Sequence, residues 1–102
     1  MNFNNVRVQQ FKNRNGKSVV DQFIISSKGN ILFQSYESAI ALKDKSGVVH
    51  LSKHWDYSTT TSKCLTYFLR STDHEIQTRI DSGLYSMDLN LDGSLDKVGG
   101  NE

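Results

Sequence analysis

The fourteen residues "ILFQSYESAIALKD", Ile31 to Asp44, decide how this chain folds. As one strand they would run to more than twice the usual length of about five to six residues. Ser35 to Ser38, "SYES", separates two apolar runs and supplies a bend or a bulge. The segment therefore divides into two strands, and its neighbours extend the pattern on both sides. Upstream, Val6 to Phe11 alternates loosely, and "NRNG" follows with Asn15–Gly16 suited to the φ > 0 positions of a hairpin turn. Ser18 to Ser26, "SVVDQFIIS", is a β-branched and aromatic run. Strict alternation would put Val19, Asp21, Phe23 and Ile25 on one face and Val20, Gln22 and Ile24 on the other. "SKGN" turns the chain into Ile31. Downstream, Ala39 to Leu42 runs into the turn "KDKSG", and "VVHLS" pairs back. The expectation is a five-stranded antiparallel meander with short turns.

Helical spacing begins after Trp55. A helix is expected from about Thr59 to Arg70, with Ser58 or Asp56 as N-cap. Thr61, Cys64, Leu65, Phe68 and Leu69 form its apolar stripe, and Thr60, Lys63, Tyr67 and Arg70 lie on the other side. Trp55 stands before the cap, placed to fold back on the first turn like a hydrophobic staple. Three threonines in that turn are poor helix formers, so capping, packing or an anion at the helix N-terminus must keep them there. A second helix is expected from Asp73 to about Ser82. Thr72 and Glu75 have capping-box spacing, Ile76 and Ile80 form an apolar pair, and Gly83 marks the stop. After Met87 the chain turns polar and Gly-bearing. This gives an α+β class: an antiparallel sheet of four to five strands packed by one main helix, a second short helix and a polar C-terminal tail. The expected boundaries are one domain over 1–83 and an acidic, flexible tail over 84–102.

Composition narrows the functional classes. A chain of 102 residues with 36% hydrophobic residues makes one modest core. One cysteine, Cys64, allows no internal disulfide. The start "MNFNNVRVQQ" has no apolar stretch of signal-peptide type, and no run approaches the ~18 apolar residues of a membrane span, so no membrane partner is expected. Charge is uneven: residues 1–70 carry ten Lys/Arg against four Asp/Glu, a net +6, while residues 71–102 carry two against seven, a net −5. A basic body suits nucleic acid or an acidic protein.

From Phe33 to Leu69, about a third of the chain, the sequence resembles a set of small uncharacterised proteins from phages, viruses and plasmids. They share a Ser-Tyr-x-x-x-Ile-Ala strand and a Tyr-Ser-x-Thr-Thr-Ser-Lys/Arg-His helix start. The matching residues are Ser35, Tyr36, Ile40, Ala41, Tyr57, Ser58, Thr60, Thr61, Ser62 and Lys63, and Cys64 stands where many of them have His. The resemblance implies a shared small fold, a mobile-element origin and a cytoplasmic location in an infected or plasmid-bearing bacterial cell. It implies no reaction.

Catalytic and metal chemistry find little purchase. "HLSKH", His50 to His54, has metal-like spacing but no second ligand pair. Cys64 falls on the apolar stripe, where a thiol is inert. "TTTSK" lacks the glycines of a phosphate-binding loop. Asp88, Asn90, Asp92 and Gly93 fit positions 1, 3, 5 and 6 of a calcium loop, but Gly99 stands where the bidentate Glu belongs. The expectation is therefore a protein that is not an enzyme, uses no cofactor or metal, and acts by binding. The first reading is a phage or plasmid accessory factor that binds a host or phage protein, inhibiting a host defence or DNA-processing enzyme with its acidic segment. The alternative is direct nucleic-acid binding by the basic body. The candidate binding residues are Lys53, Trp55, Tyr57, Ser58, Thr60, Lys63, Tyr67 and Arg70.

Overall fold

The computed structural model describes residues 6–96. Its fold is α+β. Strands β1 (Val6–Lys12), β2 (Ser18–Ser27), β3 (Asn30–Ser35), β4 (Ser38–Lys43) and β5 (Val49–Leu51) form an antiparallel meander in sequence order. Helices α1 (Thr59–Leu69) and α2 (Asp73–Asp81) follow, and then a two-residue strand, β6 (Tyr85–Ser86). The division of Ile31 to Asp44 holds: the chain turns at Tyr36–Glu37, and β4 then carries an irregularity where Phe33 meets Ala41 but Gln34 meets Ala39.

Register sorts the sheet into two faces, because directly opposed residues point the same way. One row runs Ile24, Phe33, Ala41, Leu51 across β2 to β5, and all four join the core beneath the helices. Phe11, Ile40, Val49, Trp55, Cys64, Leu65, Leu69 and Ile76 complete that core. In β2 the structure departs from strict alternation. Asp21 takes φ 60° and the pairing with β1 slips between Gln10 and Lys12. This irregularity brings Val19 to the core side with Ile24 instead of leaving it beside Phe23 and Ile25.

Two of the turns share one chemistry. In the β1–β2 and β4–β5 hairpins an Asn or Asp carbonyl accepts from a glycine N–H three residues on, Gly16 to Asn13 and Gly47 to Asp44, each at 2.9 Å. The Asn13 and Asp44 side chains also accept two backbone N–H groups each, from Asn15 and Lys17 and from Ser46 and Val48. Only Gly16 in "NRNG" takes positive φ, at 79°, so Asn15 plays no left-handed part.

Both helix starts follow the sequence. Ser58 caps α1 by accepting from Thr61 N–H, and Thr72 and Glu75 exchange both bonds of a capping box on α2. Arg70 ends α1 in the left-handed region, φ 53°. Phe68 is only half-buried, whereas Thr61, Cys64, Leu65 and Leu69 are buried.

The segment after Gly83 is built into the sheet as far as it is described. β6 runs parallel to β5, pairing Tyr85 with Val49 and Ser86 with His50. Leu89 N–H reaches Leu51 O at 3.2 Å, Ala39 N–H reaches Leu91 O at 2.8 Å, and Leu89 is buried. A tight turn over Asn90 to Ser94 follows, with Gly93 N–H on Asn90 O. So residues 84–96, expected as part of a flexible tail, contribute a sixth strand and a core leucine. The last six residues of the expected tail, 97–102, lie outside the described range.

Candidate functional site

α1 covers only part of the inner sheet face. Between it, the first hairpin and the start of α2 lies an open groove of about 1110 Å³. Phe11, Tyr67 and Phe68 line it, and Phe33 lies fully buried beneath them as the rung that joins Phe11 to Phe68. Phe33 meets Phe11 at 5.3 Å between ring centroids, Phe11 meets Tyr67 edge-on at 5.8 Å, and Phe33 meets Phe68 at 5.8 Å. Phe11 and Phe33 are buried, while Tyr67 at the groove wall is 49% exposed.

Five cations line this groove: Lys12 and Arg14 from the β1–β2 hairpin, Lys43 from the end of β4, and Lys63 and Arg70 from α1. Glu75 is the one acid among the lining residues. The ion pairs among the described residues both belong to His50, so none of these five cations is neutralised by a carboxylate there. Lys43 shows the consequence. Its Nζ donates to Phe68 O at 2.8 Å and sits 4.6 Å above the Phe68 ring. Burial, and next the positive charge of Arg70, hold its pKa below the ordinary lysine value.

A second, smaller depression lies at the N-terminus of α1, lined by Trp55, Tyr57, Ser58, Thr59, Lys63 and two aspartates, Asp56 and Asp73. The two carboxylates oppose an anion at this helix end. Beneath it the hydroxyl run is used internally: Ser58 Oγ donates to Thr61 Oγ1 at 2.8 Å, and Thr61 Oγ1 meets Ser35 Oγ at 2.7 Å in the core. Ser62 Oγ donates to Asp73. Gln22 lies opposite Ser35 in the register, fully buried, with neither carboxamide atom paired among the described residues.

The eight candidate residues thus separate. Lys63, Tyr67 and Arg70 meet in the large groove; Trp55, Tyr57 and Ser58 meet at the helix start, with Lys63 lining both. Thr60 and Lys53 are exposed and line neither. Trp55 is only 6% exposed and belongs to the core, so its indole serves packing and offers little to a partner. Lys12, Arg14 and Lys43 were absent from the candidate set. Lys43 had a readable signal, since it shares the core-facing parity of Ala41 in β4, an unusual place for a lysine.

Other reactive groups are committed elsewhere. Cys64 borders the groove but is buried, and burial pushes its thiol pKa up, away from the thiolate a nucleophile needs. His50 has both ring nitrogens engaged, Nε2 with Asp44 and Nδ1 with Asp88, each at 2.9 Å. Asp88 and Asp92 of the calcium-like loop are bound to His50 and Ser94, and Gly99 lies outside the described residues. No group of three or more metal-binding side chains occurs among the described residues, and no helix there is long and apolar enough to cross a membrane.

Residues 6–83 match DUF8033, a family of unknown function. The chain belongs to this family. The matched span takes in the five-stranded meander, both helices and every groove-lining residue, and it stops before β6. No curated protein and no solved structure matches the chain.

Proposed function

We propose that this protein binds single-stranded nucleic acid in the groove between the first hairpin and α1. The observation that carries the reading is the convergence of Lys12, Arg14, Lys43, Lys63 and Arg70 on a groove with an exposed aromatic wall. Single-strand binders pair a basic track for the phosphates with a π-face for the bases. Tyr67 supplies such a face, and the ladder through Phe11 fixes its ring. The open groove accepts a flexible strand, whereas a duplex would need a wider, convex-fitting surface.

The reading of the protein as an inhibitor that mimics nucleic acid with its acidic segment draws less support. Asp88 is tied to His50, and Asp92 caps its own turn through Ser94. Carboxylates held this way are poorly placed to contact a partner. Fluorescence anisotropy with a labelled oligothymidylate tests the proposal. The full chain should bind, and the Lys63→Ala/Arg70→Ala double variant should bind at least about tenfold more weakly, since each lost phosphate contact removes a charge-assisted bond. Equal affinity of the two proteins would refute it, as would a full chain that binds no strand at low salt.

A further inference from the structure

The sheet face away from the helices carries a second message. Its central row runs Val8, Ile25, Leu32, Leu42 across β1 to β4. The next row holds Gln10, Phe23, Gln34 and Ala39. Neither row contains a Lys, Arg, Asp or Glu, in a chain where 23% of residues are charged. Val8 is 61% exposed; Phe23, Ile25, Leu32 and Leu42 are partly exposed, and none of these five belongs to the core or packs against it. Both helices lie on the other face, and the shortest dimension of the molecule, 22 Å, accommodates one sheet and one helix layer.

An antiparallel sheet with one solvated face normally alternates apolar-in with polar-out. Here the outward face is apolar and uncharged over β1 to β4, and His50 with its two aspartates, Asp44 and Asp88, bounds it on β5; an apolar stretch of this kind is the surface of a sheet that packs on another sheet. We infer that the occupant is a second copy of this chain, stacked face to face about a two-fold axis. Composition favours a second copy, since homodimer interfaces are more apolar than those made with transient partners and these rows carry no charged residue over β1 to β4. A two-fold interface needs a patch that matches itself without like charges meeting, and an uncharged apolar stripe meets that condition. Together the four strands, of six to ten residues, present a face of roughly 500 Å² per copy, so a pair would bury about 1,000 Å², the threshold for a specific interface. The dimer would layer helix, sheet, sheet and helix, leaving the two basic grooves open on opposite outer surfaces. The groove reading and this one rest on different faces and stand or fall separately.

Sedimentation equilibrium of the full chain over a concentration series provides the test, alongside Leu32→Lys and Val8→Lys. The wild type should be a dimer. Each variant should be monomeric or dissociate at least about tenfold more readily, because the lysine would be buried unpaired against the partner's apolar row. Circular dichroism checks that the variants fold, and Val8, exposed on β1, tolerates lysine if Leu32 does not. A monomeric wild type throughout the series would overturn the inference and leave the face to another partner. A dimer unaffected by the folded variants would overturn it too, since it would place the interface elsewhere, such as the β1 edge.

Discussion

Thr61 Oγ1 accepts from Ser58 Oγ and has its own proton free for Ser35 Oγ, 2.7 Å away in the core. Ser35 belongs to the Ser-Tyr-x-x-x-Ile-Ala strand and Ser58 and Thr61 to the helix start, so the two stretches behind the sequence resemblance meet in one buried hydrogen-bond chain. That chain explains much of the hydroxyl run: Ser58 caps, Thr61 locks α1 to β3, and Ser62 ties α1 to the start of α2. Thr59 and Thr60 are exposed and have no such task. Thr61→Val keeps the shape but strands Ser35 Oγ without its partner. It should cost about 1–3 kcal/mol in urea unfolding, the penalty of an orphaned buried hydroxyl. Unchanged stability would mean that Ser35 finds another partner and that the lock is dispensable.

Among the elements, β6 depends most on chemistry outside itself. Two residues make no stable strand, so its place beside β5 needs a fastener. His50 provides one by bridging Asp44 in the β4–β5 turn to Asp88 just beyond β6. Burial pulls the His50 pKa down, but the hydrogen bonds to Asp44 and Asp88 outweigh it, and the net shift is upward. A raised folded pKa means the bridge contributes in full below the unfolded value of about 6.5, and its contribution is lost as pH rises through the higher folded value. Asp44 runs the opposite way: the His50 hydrogen bond depresses its pKa, so its contribution is present above the usual carboxylate range and lost in acid. Unfolding free energy should therefore peak between these limits and decline as pH rises above about 6.5. Asp88→Asn should flatten the alkaline decline. An identical decline in that variant would show that His50 does not fasten β6. The meander and both helices were legible because alternation, Asx–Gly turns and caps are local signals. β6 was not, since its pairing is set by the edge of β5 and its two residues carry no period. The turn after it could have been found: Asn90 to Gly93 repeats the Asn13 to Gly16 and Asp44 to Gly47 spacing, and all three make the same backbone bond.

At the scale of the whole molecule, one sheet separates two surfaces of opposite character, a basic groove beside α1 and, behind it, a face that is apolar and uncharged over β1 to β4. The sequence showed Lys63, Tyr67 and Arg70 sharing a helix side. It could not show that Lys12 and Arg14, some fifty residues earlier, face them across the groove, because that approach is made by tertiary packing of Phe11 against Tyr67. Nor could it show Trp55 turning into the core, since an aromatic before a helix reads the same whether it staples or stacks. If the groove works as proposed, Tyr67→Ala should weaken single-strand binding by about 1–3 kcal/mol through lost stacking, with little change in salt dependence. An unchanged affinity would remove Tyr67 from the site. The central claim is that the groove cations bind phosphates, and its most direct measurement is the wild type's affinity for oligothymidylate as a function of salt concentration. Each phosphate neutralised contributes about −0.7 to the slope of log K against log salt, so three to five working cations predict a slope between about −2 and −3.5. A slope near zero, or no binding even at low salt, would contradict the account.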